Sequence, residues 1–137
     1  MALTPITLVH QYLLRSAERF PSREALVYAG GRVTYSELLA RVQSLSAWLI
    51  ERRLAPGDRV GILTDEPRDY ISAYFGVLMA GGVVVPLNTQ TSSRVLAAQL
   101  GRCQASVVVT HRKLAKHLDI PEIAGSVHTI AVAGGGT

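Results

Sequence analysis

The sequence predicts an α/β fold, with a mainly parallel sheet, helices on both faces and Rossmann-like layers. The stretch from Tyr70 to Asn88 first repeats apolar residues at helical spacing and then runs into three consecutive valines. A helix that leads directly into a buried strand is half of a crossover unit, the connection that parallel strands require. Strand candidates also recur at intervals of roughly two dozen residues, with helical segments between them, as crossover units do. They are Arg59–Leu63, Val83–Leu87, Ser106–Thr110 and Val127–Val132.

The central stretch contains signals for both of its elements. The residues that share one face of its helix are Ile71, Tyr74, Phe75, Leu78 and Met79. Gly81 and Gly82 are expected to stop this helix, because glycine adopts the left-handed cap conformation without a Cβ penalty. Val83–Val85 has no polar alternation, which is typical of a strand covered on both faces. Pro86 is expected to end the strand, since it lacks the N–H that a central ladder needs.

The same region raises the question of a membrane span, because residues 70–93 carry no formal charge. A spanning helix needs about 20 mainly apolar residues. The glycine pair, Pro86 and Asn88 break this run near its middle. The sequence therefore favours a helix followed by a strand, and no membrane span.

Size and composition indicate one globular domain over residues 1–137. The chain has 48% hydrophobic and 18% charged residues, which separates it from disordered sequences. Its formal net charge is +4, and its basic residues are spread out except at 52–53 and 112–116. Nucleic-acid binders usually concentrate basic residues on one face with aromatics interleaved. We therefore expect no nucleic-acid partner.

Cys103 is the single cysteine of the chain. An intramolecular disulfide and a zinc site with several cysteines are therefore excluded. Cys103 shares a helical stripe with Leu96 and Leu100, which favours a small buried side chain over a nucleophile. The first residues lack the basic start and long apolar run of a signal peptide. These observations predict a cytoplasmic protein.

The first third of the chain predicts a helix, a hairpin and a second helix. Thr7 can cap the first helix, which Pro21 closes. The residues along one side of it are Val9, Leu13, Ala17 and Phe20. Ala25–Thr34 predicts a small hairpin at the margin of the sheet. Thr34 and Glu37, three residues apart, form a capping box before the next helix. The apolar stripe of that helix is Leu38, Val42, Leu45 and Leu49.

Later signals place the remaining connections. Residues 54–58 predict a turn, and Pro67 lies at a first helical position. Ser92 or Ser93 can cap the next helix, and a shorter helix is expected around Arg112–Leu118. Gly134–Gly136 indicates a turn or the beginning of disorder.

Candidate chemical groups favour structural roles over catalysis. Asp65 and Glu66 could form an acid–base pair, but adjacent carboxylates before Pro67 fit the positive end of a helix dipole better. No serine lies in a G-x-S-x-G nucleophile elbow. The histidines have no i, i+4 partner and no nearby cysteine, so we expect no metal site. They are His10, His111, His117 and His128.

The glycines do not form a nucleotide-binding motif. Gly76, Gly81 and Gly82 do not make G-x-G-x-x-G, and they close a helix where a phosphate loop would open one. Successive backbone amides near a helix N-terminus could cradle a phosphate. Residues 134–137 could begin such a loop, although turn or disorder is the favoured interpretation of them.

Three blocks of sequence carry a family resemblance. They are R-x-T-Y-x-E-L at 32–38, P-G-D-R-V-G-I-L at 56–63 and F-G-V-L-M-A-G-G-V-V-V-P-L-N at 75–88. In order and spacing the chain resembles the opening of the AMP-forming acyl-CoA synthetases. That superfamily also contains the adenylation domains of peptide synthetases and the luciferases. Pro86–Thr89 resembles the acyl-CoA ligases more than the amino-acid-activating branch.

The resemblance implies the N-terminal portion of the large domain of an ATP-dependent ligase. Such an enzyme activates a carboxylic acid as an acyl-adenylate, and most members then transfer the acyl group to coenzyme A. The family's Ser/Thr/Gly-rich phosphate loop, threonine-glutamate magnesium motif, ribose-binding aspartate and C-terminal lysine lie beyond this chain. ATP, magnesium and coenzyme A are thus expected for the full-length parent, and no catalytic, cofactor-binding or metal residue transfers to a position here. Arg32, Thr34, Tyr35 and Glu37 carry the resemblance, but they fit a hairpin and a helix cap.

Two hypotheses follow. In the first, the chain is an inactive fragment of a carboxylic acid–CoA ligase, whose partner is the rest of the synthetase. Surfaces made for that remainder would then leave an exposed apolar patch of more than a few hundred Å², and the isolated chain would self-associate. In the second, the chain is a stand-alone interaction module that reuses the fold for protein binding. Fold alone does not separate them, because function resides in sites.

Overall fold

The computed structural model describes residues 5–133. Helices and strands alternate along most of them, as the sequence predicts. The elements are α1 (His10–Arg19), β1 (Glu24–Tyr28), β2 (Gly31–Thr34), α2 (Tyr35–Glu51), β3 (Arg59–Leu63), α3 (Pro67–Met79), β4 (Val83–Pro86), α4 (Ser93–Cys103), β5 (Val107–His111), a 3₁₀ helix (Arg112–Leu118), α5 (Pro121–Ala124) and β6 (Thr129–Ala133). The turn, disorder or phosphate loop considered for residues 134–137 lies outside the described residues.

The main sheet has the strand order β4-β3-β5-β6, and all of its neighbouring strands are parallel. Val60 of β3 pairs with Val84 on one side and with Val107 on the other. Helices α2 and α3 pack on one face, and α4, the 3₁₀ helix and α5 pack on the other. The predicted parallel α/β fold with helices on both faces is therefore confirmed.

Alternating side chains of the central strands supply a core on each face. Val60 and Ile62 point toward α2 and α3, whereas Leu63 and Val108 point toward α4 and α5. This alternation follows from the two-residue period of a strand. Because both faces are covered, the polar residues of β3 and β5 lie only at the strand ends, and the rest of each strand is an apolar run in the sequence.

The buried face of α3 differs from the predicted one. Its most buried residues are Asp69, Ser72, Ala73, Gly76 and Val77. The five large residues of the predicted stripe, Leu78 among them, are only partly buried. Ile71, Phe75 and Met79 pack toward α1 and the hairpin, and Tyr74 flanks the main sheet beside Tyr70. Small residues occupy the centre of the contact because α3 approaches α2 and the sheet closely. The larger residues fill the space at its sides.

The end of α3 has the predicted glycine cap. Gly81 has φ +86°, and its N–H donates to the carbonyl of Leu78 at 3.0 Å. The N–H of Gly82 donates to the carbonyl of Val77 at 2.9 Å. These two bonds form a Schellman motif, in which a left-handed residue satisfies the last helical carbonyls.

The strand that follows is an edge strand whose two faces are covered only in part, since Val84 packs toward α2 and α3 and Val85 packs toward α4. β4 pairs only with β3 among the described strands, and Val83 is 45% exposed. The three-valine run reflects β-propensity and partial burial of Val84 and Val85. Pro86 ends β4 as predicted. The predicted bounds of the later strands are shifted by one or two residues.

The predicted hairpin is present, but its predicted position at the margin of the main sheet is wrong. β1 and β2 form a separate antiparallel sheet that packs on α1, α2 and α3. Arg32 Nη1 lies 2.6 Å from Glu24 Oε1 across the two strands, and this hydrogen bond raises the pKa of the Arg32 side chain. The capping box is confirmed: Thr34 Oγ1 accepts from Glu37 N at 3.2 Å, and Glu37 Oε2 accepts from Thr34 N at 2.8 Å.

The start of α1 differs from its prediction. Thr7 does not cap the helix; instead Gln11 Oε1 accepts hydrogen bonds from the backbone N–H groups of Thr7 and Leu8, at 2.8 and 3.0 Å. The reach of the longer glutamine side chain satisfies these amides from inside the helix. Leu13 and Ala17 are buried as predicted. Val9 and Phe20 are exposed, since the helix covers the hairpin only along its middle.

Candidate functional site

The strand order gives the sheet a topological switch point between β3 and β5. The chain leaves β3 toward β4 through α3 on one face, and it leaves β4 toward β5 through α4 on the other. Open parallel sheets bind ligands in the crevice outside the carboxyl ends of strands at such a point. In this chain the residues there are 64–66 after β3 and 111–113 at the end of β5.

Polar contacts join the two segments at this edge. Thr110 Oγ1 donates to the carbonyl of Leu63 at 2.8 Å, and Thr64 Oγ1 accepts from Glu66 N at 3.1 Å. Lys113 Nζ lies 3.8 Å from Glu66 Oε1, with both side chains largely in solvent. An exposed pair of this kind contributes little to stability. The contacts fix the loops relative to one another.

The carboxylates singled out by the sequence lie at the start of α3, as the structural interpretation predicts. Glu66 is the N-cap and Pro67 follows at the first helical position, while Asp65 is exposed. Within residues 5–133 no three His, Cys, Asp or Glu side chains gather as ligands for a metal ion. The expectation that this chain supplies no catalytic, cofactor-binding or metal residue stays a prediction.

The other candidate groups are dispersed. His111 Nδ1 accepts from the backbone N–H of Lys113 at 3.2 Å, so this histidine caps the 3₁₀ helix. His10 and His117 are partly buried on other elements, and His128 is exposed. Cys103 is partly buried against the α4 core, with its Sγ 3.6 Å from the carbonyl of Leu100.

A cleft of about 600 Å³ lies between α2, α3 and the main sheet. Its walls come from both helices, and its floor comes from β5 and β6. The lining residues are Ala40, Arg41, Ser44, Leu45, Trp48, Asp69, Ser72, Ala73, Val109 and Ala131. We call it the α2–α3 cleft. The sequence analysis did not anticipate it.

Asp69 is the charged group set deepest in the α2–α3 cleft. Its side chain is 8% exposed, and Arg68 Nε lies 4.0 Å from its Oδ1. Asp69 stands in the first turn of α3, where the helix dipole favours an anion. A signal for it was present in the sequence, because position 69 is in helical phase with Ser72, Ala73 and Gly76. The sequence did not predict that this face of α3 is buried, because the face lacks large apolar residues.

In the described part of the chain, no helix combines the length and the apolar character needed to cross a bilayer. The uncharged region 70–93 is instead divided among α3, β4 and the start of α4. The predicted helix followed by a strand is confirmed.

The fold and the order of the sequence motifs agree with one family match. The model of the AMP-binding enzyme family matches residues 13–134, and the chain therefore belongs to that family. The resemblance of the three sequence blocks is confirmed by this match.

Its relatives include peptide synthetases and acyl-CoA ligases. Tyrocidine synthase 2 of Brevibacillus parabrevis is 30% identical over 93% of this chain, and a long-chain-fatty-acid–CoA ligase of Bacillus subtilis is 34% identical over 77% of it. The chain spans only 4% and 19% of the lengths of these two proteins. Among solved structures, the nonribosomal peptide synthetase FmoA3 superposes with a TM-score of 0.85 at 32% identity, covering 98% of this chain and 14% of that one.

Proposed function

We propose that this chain is the N-terminal portion of the large domain of an ATP-dependent ligase, which activates a carboxylic acid as its acyl-adenylate. The family match over residues 13–134 carries the proposal. The small share of each relative that the chain spans supports a parent with much more polypeptide than these residues. In the parent, the chain contributes a scaffold, and the groups that bind ATP and magnesium lie elsewhere.

The motif residues support a scaffolding role because each has a structural partner. Arg32 pairs with Glu24 across the hairpin, and Thr34 and Glu37 cap α2. Asn88 Oδ1 accepts from Gln90 N at 2.8 Å and so shapes the loop after β4. These partners support placing the binding of ATP, magnesium and the acyl acceptor in the remainder of the enzyme.

For the acceptor we propose coenzyme A. The Pro-Leu-Asn-Thr sequence at 86–89 supports this choice through its resemblance to acyl-CoA ligases. The competing acceptor is a carrier-protein thiol, since peptide synthetases are among the relatives. A full-length enzyme assayed with coenzyme A and a carboxylic acid should release the acyl-CoA thioester. Adenylate formation without thioester release would favour the carrier protein.

Pyrophosphate exchange tests the proposed function. The full-length protein should exchange labelled pyrophosphate into ATP in the presence of a suitable carboxylic acid, because adenylate formation is reversible. The 137-residue chain should neither exchange pyrophosphate nor bind ATP tightly, since losing a set of transition-state contacts costs many orders of magnitude in rate. Micromolar ATP binding to this chain in a calorimeter would contradict the placement of the nucleotide site. A gene that ends at Thr137 would favour the interaction module.

We also propose that the isolated chain self-associates. Leu8, Val9 and Tyr12 are all more than half exposed beside one another at the start of α1. Contiguous apolar surface of this kind commonly marks a contact with another polypeptide. Light scattering at rising concentration should show a growing apparent mass, whereas a monomer at every concentration would contradict the proposal.

A further inference from the structure

We propose that the α2–α3 cleft receives a helix from the polypeptide that follows this chain in the full-length ligase, and that this helix presents a lysine or arginine to Asp69. The inference rests on the proposed function, because it requires a parent longer than these residues. Beyond the proposed function, the inference states where the remainder of the ligase docks on this chain and that the docking segment carries a positive charge.

The geometry of the sheet leaves room for one helix. α3 lies over β3 and β4, and α2 packs beside α3. Neighbouring helices lie about 8–10 Å apart and strands about 4.8 Å apart, so each helix of a layer covers about two strands. The cleft reaches down to Val109 of β5 and Ala131 of β6, the two strands that α3 does not cover on this face. A further helix beside the existing pair would complete the layer.

The walls of the cleft suit a close helical neighbour. Ala40 and Ser44 are one turn apart on α2, and both are exposed. Ser72 and Ala73 of α3 line the opposite wall. Side chains this small let a second helix approach at the short end of the interaxial range. Trp48 lies farther along the same side of α2, where Arg52 stacks on its ring at 3.7 Å.

Asp69 is the feature of the cleft that favours a positively charged occupant. Its carboxylate is more than nine-tenths buried and lines the cleft. Within the described chain Arg68 Nε lies at the outer limit of an ion pair with Asp69 and makes no hydrogen bond to it, and exposed Arg41 of α2 lines the same cleft without reaching ion-pair distance. A buried carboxylate is costly unless a cation and hydrogen-bond donors meet it. A lysine or arginine that enters the cleft would meet both needs.

The handedness of the crossovers indicates which part of the remainder fills the cleft. The connections from β4 to β5 and from β5 to β6 run in one direction, and their helices lie on the α4 face. A right-handed crossover to a further strand outside β6 would place its helix on that same face. The occupant of the α2–α3 cleft is therefore a helix from later in the polypeptide, after the next crossover.

Cysteine labelling tests the occupant directly. In a Cys103→Ala background, Ser44→Cys places a thiol in the cleft, and Gln43→Cys places a matched thiol on the exposed side of the same helix. The Ser44→Cys thiol should react with a maleimide at least about tenfold more slowly in the full-length protein than in the 137-residue chain, because burial limits access. The Gln43→Cys thiol should react equally in both. Equal rates for Ser44→Cys would overturn the proposal.

Two further measurements separate the alternatives. If Ser44→Cys is protected in the 137-residue chain alone and light scattering shows a dimer, the occupant is a second copy and the proposal fails. Asp69→Asn should lower the urea midpoint of the full-length protein and leave that of the 137-residue chain unchanged or raised. An equal loss in both would show that Asp69 serves only the internal fold. If the full-length protein exchanges pyrophosphate but its Ser44→Cys thiol stays reactive, the proposed function stands. The proposal that a helix occupies the α2–α3 cleft would then be refuted.

Discussion

The substitution Gly76→Ala measures how much stability is lost when a methyl group is added at the close contact between α2 and α3. A Cβ built on Gly76 would lie 2.9 Å from Leu45 Cδ2 and 3.1 Å from Leu45 Cβ. The second distance matters more, because a Cβ cannot rotate away and the helices themselves must separate. Gly101 provides the matched control. It also lies within a helix, and a Cβ there would meet nothing within 4 Å.

Both substitutions gain helix propensity, about 1 kcal/mol each. Gly76→Ala also incurs overpacking, which costs about 1–3 kcal/mol when a methyl group enters a packed contact. The propensity contributions cancel in the comparison. Gly76→Ala should therefore be about 1–3 kcal/mol less stable than Gly101→Ala. Gly101→Ala should be slightly more stable than the unmodified chain.

Urea denaturation followed by circular dichroism measures this difference. With a slope of about 2 kcal/mol per molar urea for a chain of this size, the two midpoints should differ by about 0.5–1.5 M. The slope itself should be unchanged, so that the midpoints report stability alone. Equal stabilisation by both substitutions would refute the close helix contact, since it would mean that Gly76 has room for a methyl group.

Three further substitutions test local features of the same fold. Arg53 ends α2 with φ 62°, so Arg53→Gly should raise stability by about 0.5–1 kcal/mol in urea melts, whereas Arg52→Gly at φ −88° should lower it. Thr34→Ala removes the side chain that accepts from Glu37 N and should cost about 1 kcal/mol, with Thr34→Ser retaining most of the cap. Leu49→Ala empties a fully buried site and should cost about 2–5 kcal/mol, whereas an equal melting temperature would contradict the burial of Leu49.

Local signals in the sequence predicted the elements well, because each signal reflects a contact within a few residues. The capping box at Thr34, the cap at Ser92 and the glycine stop at Gly81 all involve partners close in the chain. The alternation of helix and strand then limited the topology to a parallel sheet. The order of the strands in that sheet could not be predicted from the sequence alone.

Features that depend on distant neighbours were predicted less well. The valine run of β4 looks the same in a central strand and in an edge strand, since only the neighbouring strand distinguishes them. The buried face of α3 was misassigned because helices in close contact select small residues, whereas a search for large apolar residues finds the flanks. The α2–α3 cleft was not predicted because the elements that form it lie far apart in the sequence. Asp69 was not predicted because it lies on the same face of α3 as the small residues.

Pro86 has a consequence for how the domain is made. The N–H groups of Val83 and Leu87 donate toward the β3 side, to the carbonyls of Asp58 and Ile62, so residue 86 faces the opposite edge of β4. Proline has no N–H to offer there, and a strand arriving at that edge would find a gap in its ladder. The β4 edge is therefore poorly suited to a further strand, whereas the β6 edge has no such gap from a proline in β6. From β5 to β6, synthesis and strand addition proceed in the same direction, away from the edge that Pro86 blocks.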